Sequence, residues 1–257
     1  MLKTAFVLTH LGLGDNITSI GAVRYLATRY DKVIVVCKER NKKNLELFYD
    51  DDARIVLYPV ENDNNISPRY GFNYNEFKKI TNNMDLYLAG YHCLTKQPAN
   101  FSTIPLNFYN DMNIDEKYFT EYFHINTPKE SNELYDKIKH FKEYIFLHNT
   151  ASNGMTFTVD YIENKLNIKR DKVLIINPNY NIYNNNDDYF NIANEFLNKP
   201  LSFYIDTIIN ANKVIMTDSS FFCLAMMLNI KTSDCYLISR NNSSYSHLNI
   251  KFKQLLI

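Results

Sequence analysis

The amino-acid sequence predicts an α/β protein made of two doubly wound halves. Three observations predict this class. Apolar runs rich in β-branched residues alternate with stretches whose apolar residues recur at helical spacing. The first apolar run leads into a glycine turn, a helix and another apolar run, which is the order of a parallel βαβ unit. The alternation is interrupted by the polar segment 127–143 and then resumes, so we expect domains at 1–126 and 127–257.

The first half opens with a predicted strand at 4–11, a helix at 16–29 and a strand at 32–38. The run KVIVVCK in the second strand is nearly continuous, as expected for a strand covered on both faces. Further predicted elements follow in chain order: a helix at 41–49, a strand at 54–58, a helix at 74–82, a strand at 85–90 and short helices at 105–111 and 116–123.

The second half repeats the alternation after the polar segment. Its clearest strand is KVLIIN at 172–177, and a second apolar run, YIFLHN, precedes it at 144–149. The other predicted elements are a short strand and a helix within 157–166, helices at 187–197 and 202–211, a strand at 214–217, a helix at 221–228 and a last strand at 234–238.

Composition narrows the classes of function. Lys+Arg and Asp+Glu each number 28 in 257 residues, and this balance argues against nucleic acid as the main partner. The four cysteines form no CxxC pair, so we expect buried thiols in a reducing compartment and no structural zinc. No secretory signal and no run of about 18 apolar residues is present, which predicts a cytoplasmic location without a transmembrane segment, in the host cytoplasm if the source is viral.

A glycine turn follows the first predicted strand. Gly12 and Gly14 allow the backbone to approach another group closely, and Asp15 falls near the start of the next helix. The third position of the dinucleotide fingerprint holds Ile17, which excludes that motif. Asp15 is either a helix cap or a general base for an incoming hydroxyl. His10 is a second candidate base, or a structural histidine.

A second turn joins the strand at 214–217 to the helix at 221–228. Asp218, Ser219 and Ser220 occupy it. The first turn of a helix exposes N–H groups and a positive dipole end, and with two hydroxyls this makes a seat for a diphosphate. Ordinary helix capping is the alternative interpretation.

Polar side chains also follow the first two strands of the second half. His148, Asn149 and Thr150 end one strand, and Asn177 ends the next. Because ligands of open α/β sheets bind at the carboxyl ends of strands, these residues are candidates for contact with a diphosphate, sugar, ribose or base. An ordinary polar loop is the alternative.

With both turns considered, the chain resembles the GT-B glycosyltransferases of the heptosyltransferase-like kind. That family opens with a strand, a Gly-Asp turn and a helix, matched by Gly14, Asp15 and Asn16. Near its end it has a helix, an alanine, a short strand, an Asp-Ser/Thr-Gly turn and an apolar helix, and here that stretch is 208–225. The order and spacing agree at both ends, so the resemblance spans most of the chain.

The resemblance implies two Rossmann-like domains that face each other across a cleft, and transfer of a sugar from a nucleoside-diphosphate sugar to a hydroxyl on a glycan acceptor. The N-terminal half would hold the acceptor, with Asp15 as the catalytic base, and the C-terminal half the donor. No cofactor and no metal are expected, and the outcome is inverting if base and leaving group lie on opposite faces. The expected acceptor-binding residues are His10, Gly12, Gly14 and Asn16, and the expected donor-binding residues are His148, Asn149, Thr150, Asn177, Asp218, Ser219 and Ser220.

Two alternatives remain open at this point. Ser220 and Cys223 stand where the family has a glycine and a histidine, which favours a catalytically inactive sugar-binding, nucleotide-binding or structural protein of the same fold. The other alternative is a different enzyme on a Rossmann-like half, such as a nucleotide-sugar epimerase or a methyltransferase.

Overall fold

The computed structural model describes residues 2–62, 79–90, 106–152, 154–239 and 251–256. The chain forms two compact units, Met1–Asn126 and Thr127–Ile257. Each unit contains a parallel sheet with helices packed against it, so the predicted α/β class is confirmed. Most of the helix predicted at 74–82 lies outside the described residues.

The sheet of the first unit has four parallel strands in the order β3-β2-β1-β4. They are β1 (Thr4–Leu8), β2 (Lys32–Lys38), β3 (Ile55–Val60) and β4 (Asp85–Leu88). Strand β1 is central and mostly buried, with β2 on one side and β4 on the other. The winding reverses between β1 and β4, and such a reversal opens a crevice at the carboxyl ends of the two strands.

The helices of the first unit differ from the prediction at one place. They are α1 (Leu13–Thr18), α2 (Ile20–Ala27), α3 (Lys42–Tyr49), α4 (Leu106–Asp111) and α5 (Tyr118–Glu121). The single helix predicted at 16–29 is two helices that meet at Ser19. The break has a tertiary cause: the Tyr109 hydroxyl accepts from Ala22 N at 3.0 Å and donates to Thr18 O at 3.1 Å. A side chain inserted in this way between an i and i+4 pair bends a helix.

The start of α1 also differs from the prediction. Gly12 has an extended backbone (φ −66°, ψ 148°) and occupies the N-cap, so the helix begins at Leu13. Gly12, and not Asp15, is therefore the N-cap residue, and Asp15 lies in the first helical turn, near the start of the helix as predicted.

The sheet of the second unit has five parallel strands in the order β6-β5-β7-β8-β9. They are β5 (Tyr144–His148), β6 (Leu174–Ile176), β7 (Lys213–Thr217), β8 (Cys235–Ser239) and β9 (Lys253–Leu256). All five residues of β5 are buried. The winding reverses between β5 and β7, which is where doubly wound sheets of this order bind ligands.

The helices of the second unit are shorter than predicted. They are α6 (Lys129–Asp136), α7 (Val159–Leu166), α8 (Phe190–Asn194), α9 (Ile205–Ile209) and α10 (Ser220–Ala225), and a 3₁₀ turn (Leu201–Tyr204) precedes α9. The polar segment expected to be a linker contains α6. This helix is anchored to the unit by the buried Ser131 hydroxyl, which accepts a hydrogen bond from Asp206 N at 2.8 Å.

Aromatic rings form the core beneath β5 and α10. Phe146, Tyr204 and Phe221 have ring centroids between 5.4 and 5.9 Å apart, and the first two are fully buried. Such large rings supply much of the apolar area that folding buries. The thiols of Cys37 and Cys235 are buried as predicted, and burial raises the pKa of each to about 11. Within the described residues, no helix has both the length and the hydropathy needed to cross a bilayer.

Candidate functional site

The strand order of the second unit brings most of the predicted donor residues to one edge of the sheet. Strand β5 lies between β6 and β7, and all three are parallel. His148 ends β5, Asn177 follows β6, and Ser219 follows β7. Their side chains therefore meet at the carboxyl ends of the strands, where the winding reverses.

Two buried asparagines tie the loops of this edge together. Asn177 Nδ2 donates to Asn149 Oδ1 at 2.9 Å, and Asn149 Nδ2 donates to Phe157 O and Tyr180 Oη at 2.6 Å each. Both asparagines are 2% exposed. Since a buried amide is costly unless it is hydrogen-bonded, these bonds give the loops a defined shape. Asn149 and Asn177 hold the walls of the site.

His148 connects the three loops. Its Nδ1 lies 3.0 Å from Ser219 Oγ, and its Nε2 lies 3.2 Å from Asn179 Nδ2. The ring packs on Phe221 with a centroid distance of 4.4 Å and is 5% exposed. Burial lowers the pKa of His148 to about 4, so the imidazole is neutral at physiological pH.

Sequence reasoning missed Asn179 and Tyr180. Asn179 also donates from Nδ2 to Thr150 Oγ1, and its backbone N–H donates to Asn177 Oδ1 at 2.9 Å. Tyr180 is 39% exposed, although its hydroxyl is held by Asn149. The signal for both residues was their place in the polar run that follows β6 directly. Asn177, the first residue of that run, is the only one of these three residues that the sequence analysis names as a candidate.

The turn after β7 is arranged differently from a simple cap. Ser219 is the N-cap of α10, with an extended backbone (φ −156°, ψ 176°), but its hydroxyl makes no capping bond and faces His148. Ser220 is the first residue of the helix, and Asp218, Ser219 and Ser220 are all partly exposed. The helix has six residues where 221–228 was predicted, so its dipole is smaller than expected.

Thr150 lies at the base of a small loop next to this edge. It forms an isolated antiparallel bridge with Thr156, and Ala151 N donates to Met155 O at 2.8 Å. The partly exposed Thr150 hydroxyl accepts from Asn179, so the loop is connected to the histidine cluster.

In the first unit, the glycine turn is closed by Asn16. Gly12 O accepts from Asn16 N at 3.1 Å and from Asn16 Nδ2 at 3.0 Å, and Asn16 is 1% exposed. The Asp15 carboxylate folds back over the turn: a Cβ at Gly12 would lie 2.4 Å from Asp15 Oδ2. Only glycine permits this placement. Asp15 is partly exposed, and so are Gly12 and Gly14.

His10 follows β1 and packs against the end of β4. A Cβ at Gly90 would lie 2.1 Å from His10 Nε2, and Gly90 has φ +70°. Both the close approach and the left-handed backbone require glycine there. Phe108 contacts the His10 ring edge-on at 5.2 Å. Sequence reasoning gave Gly90 no role, and its position at the end of a strand was the only signal for it.

Each of the two groups of candidate residues lies within a single unit, the first group in the first unit and the second group in the second. His10, Gly12, Asp15 and Asn16 surround the turn after β1, and the histidine cluster occupies the end of β5. Among the described residues, no three His, Cys, Asp or Glu side chains are grouped as potential metal ligands. The roles of these residues toward acceptor and donor stay predictions.

No protein-family model matches this sequence, and no curated protein is significantly similar to it. Solved structures are similar in fold. A family 9 glycosyl transferase from Veillonella parvula aligns with a TM-score of 0.57 at 8% identity, over 99% of this chain and 87% of that one. The E. coli heptosyltransferase WaaC aligns with a TM-score of 0.53 at 9% identity, over 98% and 92% of the two chains. TibC, an iron-containing dodecameric glycosyltransferase of enterotoxigenic E. coli, aligns at 0.52 and 14% identity, over 93% and 58%.

At these identities the likeness establishes the fold, and it confirms the resemblance predicted from the two turns. The chain has the α/β fold of the heptosyltransferase-like glycosyltransferases.

Proposed function

We propose that this protein is a glycosyltransferase that moves a sugar from a nucleoside-diphosphate sugar to a hydroxyl on a glycan acceptor. The observation that carries the proposal is the cluster of His148, Ser219 and Asn179 at the winding reversal of the second sheet. The fold shared with glycosyltransferases over nearly the whole chain supports it. One of those structures, WaaC, contains ADP-2-deoxy-2-fluoro heptose, which favours a nucleoside-diphosphate sugar as the donor class.

The donor is proposed to bind the second unit. Its diphosphate would lie at the partly exposed Ser219 and Ser220, where hydroxyls and the first N–H groups of α10 donate to phosphate oxygens. The exposed ring of Tyr180, held in place through its hydroxyl, offers a flat surface beside the site for the base or the sugar.

The acceptor is proposed to bind the first unit near Asp15. An alcohol attacks an anomeric carbon efficiently only while its proton is being removed, and a partly exposed carboxylate can accept that proton. The hydroxyl and N–H donors of the second unit would stabilise the leaving diphosphate. This mechanism needs no metal, and it inverts the anomeric configuration if attack and departure occur on opposite faces.

The test begins with binding of ADP-, UDP- and GDP-sugars to the full-length protein by calorimetry, followed by an assay for released nucleoside diphosphate. Binding without release in the presence of glycan acceptors would indicate a binding protein. Lack of binding to all of these donors would contradict the proposed function itself.

Replacement of Asp15 by Asn tests the catalytic base. General-base catalysis contributes about 10²- to 10⁴-fold, so we expect kcat to fall by about 10²-fold or more while the donor Kd changes little. Asp136→Asn is a matched control, because that carboxylate lies on the surface in an exposed pair with Lys139. Equal turnover in Asp15→Asn and the control would remove Asp15 from the mechanism.

A further inference from the structure

The partners of His148 determine which ring nitrogen carries its proton. Asn179 Nδ2 lies 3.2 Å from His148 Nε2, and an amide nitrogen can only donate. Nε2 is therefore the acceptor. A neutral imidazole has a single N–H, which must then be at Nδ1, and the atom within reach of Nδ1 is Ser219 Oγ at 3.0 Å. In that tautomer His148 donates to Ser219.

The direction of this bond decides what Ser219 offers to a ligand. When Oγ accepts from Nδ1–H, the hydroxyl proton of Ser219 is free to be donated elsewhere. In the opposite tautomer, Nδ1 would be the acceptor, the Ser219 proton would point at the imidazole, and only lone pairs would face a ligand. Ser219 is partly exposed, so its hydroxyl can reach a bound molecule.

We propose that Asn179 is a positioning residue: it selects the Nδ1–H tautomer of His148 and thereby presents the Ser219 hydroxyl as a hydrogen-bond donor to an anionic acceptor oxygen of the ligand. The ligand class, the diphosphate of a nucleoside-diphosphate sugar, rests on the proposed function. The tautomer of His148 and the direction of its hydrogen bonds do not depend on the proposed function.

The surroundings hold this chain of bonds in place. The backbone N–H of Asn179 is bonded to Asn177 Oδ1, and its side-chain Nδ2 also donates to Thr150 Oγ1, so Asn179 is tied to the loops that follow β5 and β6. Phe221 covers one face of the imidazole, which is 5% exposed. Burial of the ring disfavours a charged imidazolium, so selectivity for an anion comes from the direction of the hydrogen bonds and not from a charge on His148.

The first experiment measures the tautomer in the full-length protein without ligand. Nitrogen-15 NMR of histidine-labelled protein at pH 7.5 distinguishes a protonated from an unprotonated ring nitrogen, and His148→Gln identifies the signals by their loss. We expect Nδ1 protonated and Nε2 unprotonated. A ring protonated at Nε2 alone would overturn the proposal, whatever the protein binds.

The second experiment uses Asn179→Ala, which removes the donor to Nε2. The ring is then free to take its proton at Nε2, and the Ser219 hydroxyl turns inward. We expect the NMR signals to show more of the Nε2–H tautomer and affinity for ADP or UDP to fall by about 10-fold, the loss of one hydrogen bond to a charged group. Asn186→Ala, which changes an exposed asparagine in the same connection between β6 and α8, is the control.

A double-mutant cycle separates positioning from a purely structural role. If Asn179 acts through Ser219, then Asn179→Ala has no further effect on ADP or UDP affinity in a Ser219→Ala background. Equal losses in both backgrounds would overturn the positioning role. If the unaltered protein binds neither ADP, UDP, GDP nor pyrophosphate, the diphosphate ligand is wrong both here and in the proposed function, while the NMR result still decides the tautomer.

Discussion

Tyr109 places one hydroxyl between α1 and α2, and Tyr109→Phe removes it without changing the ring. In the native protein this hydroxyl satisfies Ala22 N and Thr18 O, at 3.0 and 3.1 Å. Thr18 is 2% exposed, and both Ala22 and Tyr109 are fully buried, so solvent does not replace the lost group. The substitution therefore leaves a backbone donor and a backbone acceptor facing each other in the interior.

Two limits bound the cost. If neither group finds a partner, each unmet bond costs about 1–3 kcal/mol, or about 2–6 kcal/mol together. If α1 and α2 close into one helix, a direct bond from Ala22 N to Thr18 O forms and the loss is about 0.5–1.5 kcal/mol. Closure is opposed because α2 already lies against α5: a Cβ at Gly21 would be 2.2 Å from Tyr118 O. We expect a loss between the limits, about 2 kcal/mol.

The measurement is urea unfolding followed by circular dichroism, since the chain has no tryptophan. Hydrogen exchange of the Ala22 amide localises the effect, and about 2 kcal/mol corresponds to roughly 30-fold faster exchange if that amide exchanges through unfolding of the unit. Tyr122→Phe is the matched control: its ring packs on Tyr118 and Tyr25, and its hydroxyl makes no hydrogen bond with the described residues. If Tyr109→Phe and the control have equal free energies of unfolding, the reasoning is refuted, because the Tyr109 hydroxyl would then make no net contribution to stability.

Two further predictions concern the second unit. Thr217 Oγ1 is buried and has no hydrogen-bond partner among the described residues, so Thr217→Val should raise the free energy of unfolding by about 1 kcal/mol, and a loss of stability in urea would contradict this. The pKa of His148 is about 4 in the folded protein against 6.5 for an ordinary histidine, so its contribution to stability is complete above pH 6.5 and is lost as pH falls toward 4. Urea unfolding at pH 7.5, 5.5 and 4.5 measures this loss. Between pH 7.5 and 4.5, the free energy of unfolding of the unaltered protein should fall by at most about 3 kcal/mol more than that of His148→Gln. If the free energies of unfolding of the unaltered protein and of His148→Gln change with pH in parallel, the prediction of a lowered pKa for His148 is wrong.

Local patterns in the sequence were sufficient for most of the secondary structure. The run KVIVVCK predicts β2 because a strand buried on both faces needs an unbroken apolar sequence, and the observed strand is Lys32–Lys38. Strand β9 was not predicted. It lies at the edge of its sheet, with two residues exposed and two partly exposed, so no burial pattern marks its four residues.

Positions next to strand ends were also predictable as candidate sites. Parallel strands bring their carboxyl ends to one edge, and this rule selected His148 and Asn177, whereas the start of a helix after a strand selected Ser219. The structure places all three in one connected cluster, in which Asn179 joins Asn177 to His148. Neither rule could assign their contacts. Asn149 and Asn177 look like ligand contacts in the sequence, yet the structure gives them buried partners within the protein.

The sequence by itself determined the α/β class, the alternation of strands and helices and the two turns, because each depends on the spacing of residues near one another in the chain. Tertiary structure alone decided the break at Ser19, which depends on a hydroxyl of Tyr109, and the role of Asn179, which depends on β5 lying between β6 and β7. Such contacts join residues far apart in sequence, so no local periodicity records them. The direction of the hydrogen bond from His148 to Ser219 is of this kind, since it is set by a partner on a third loop.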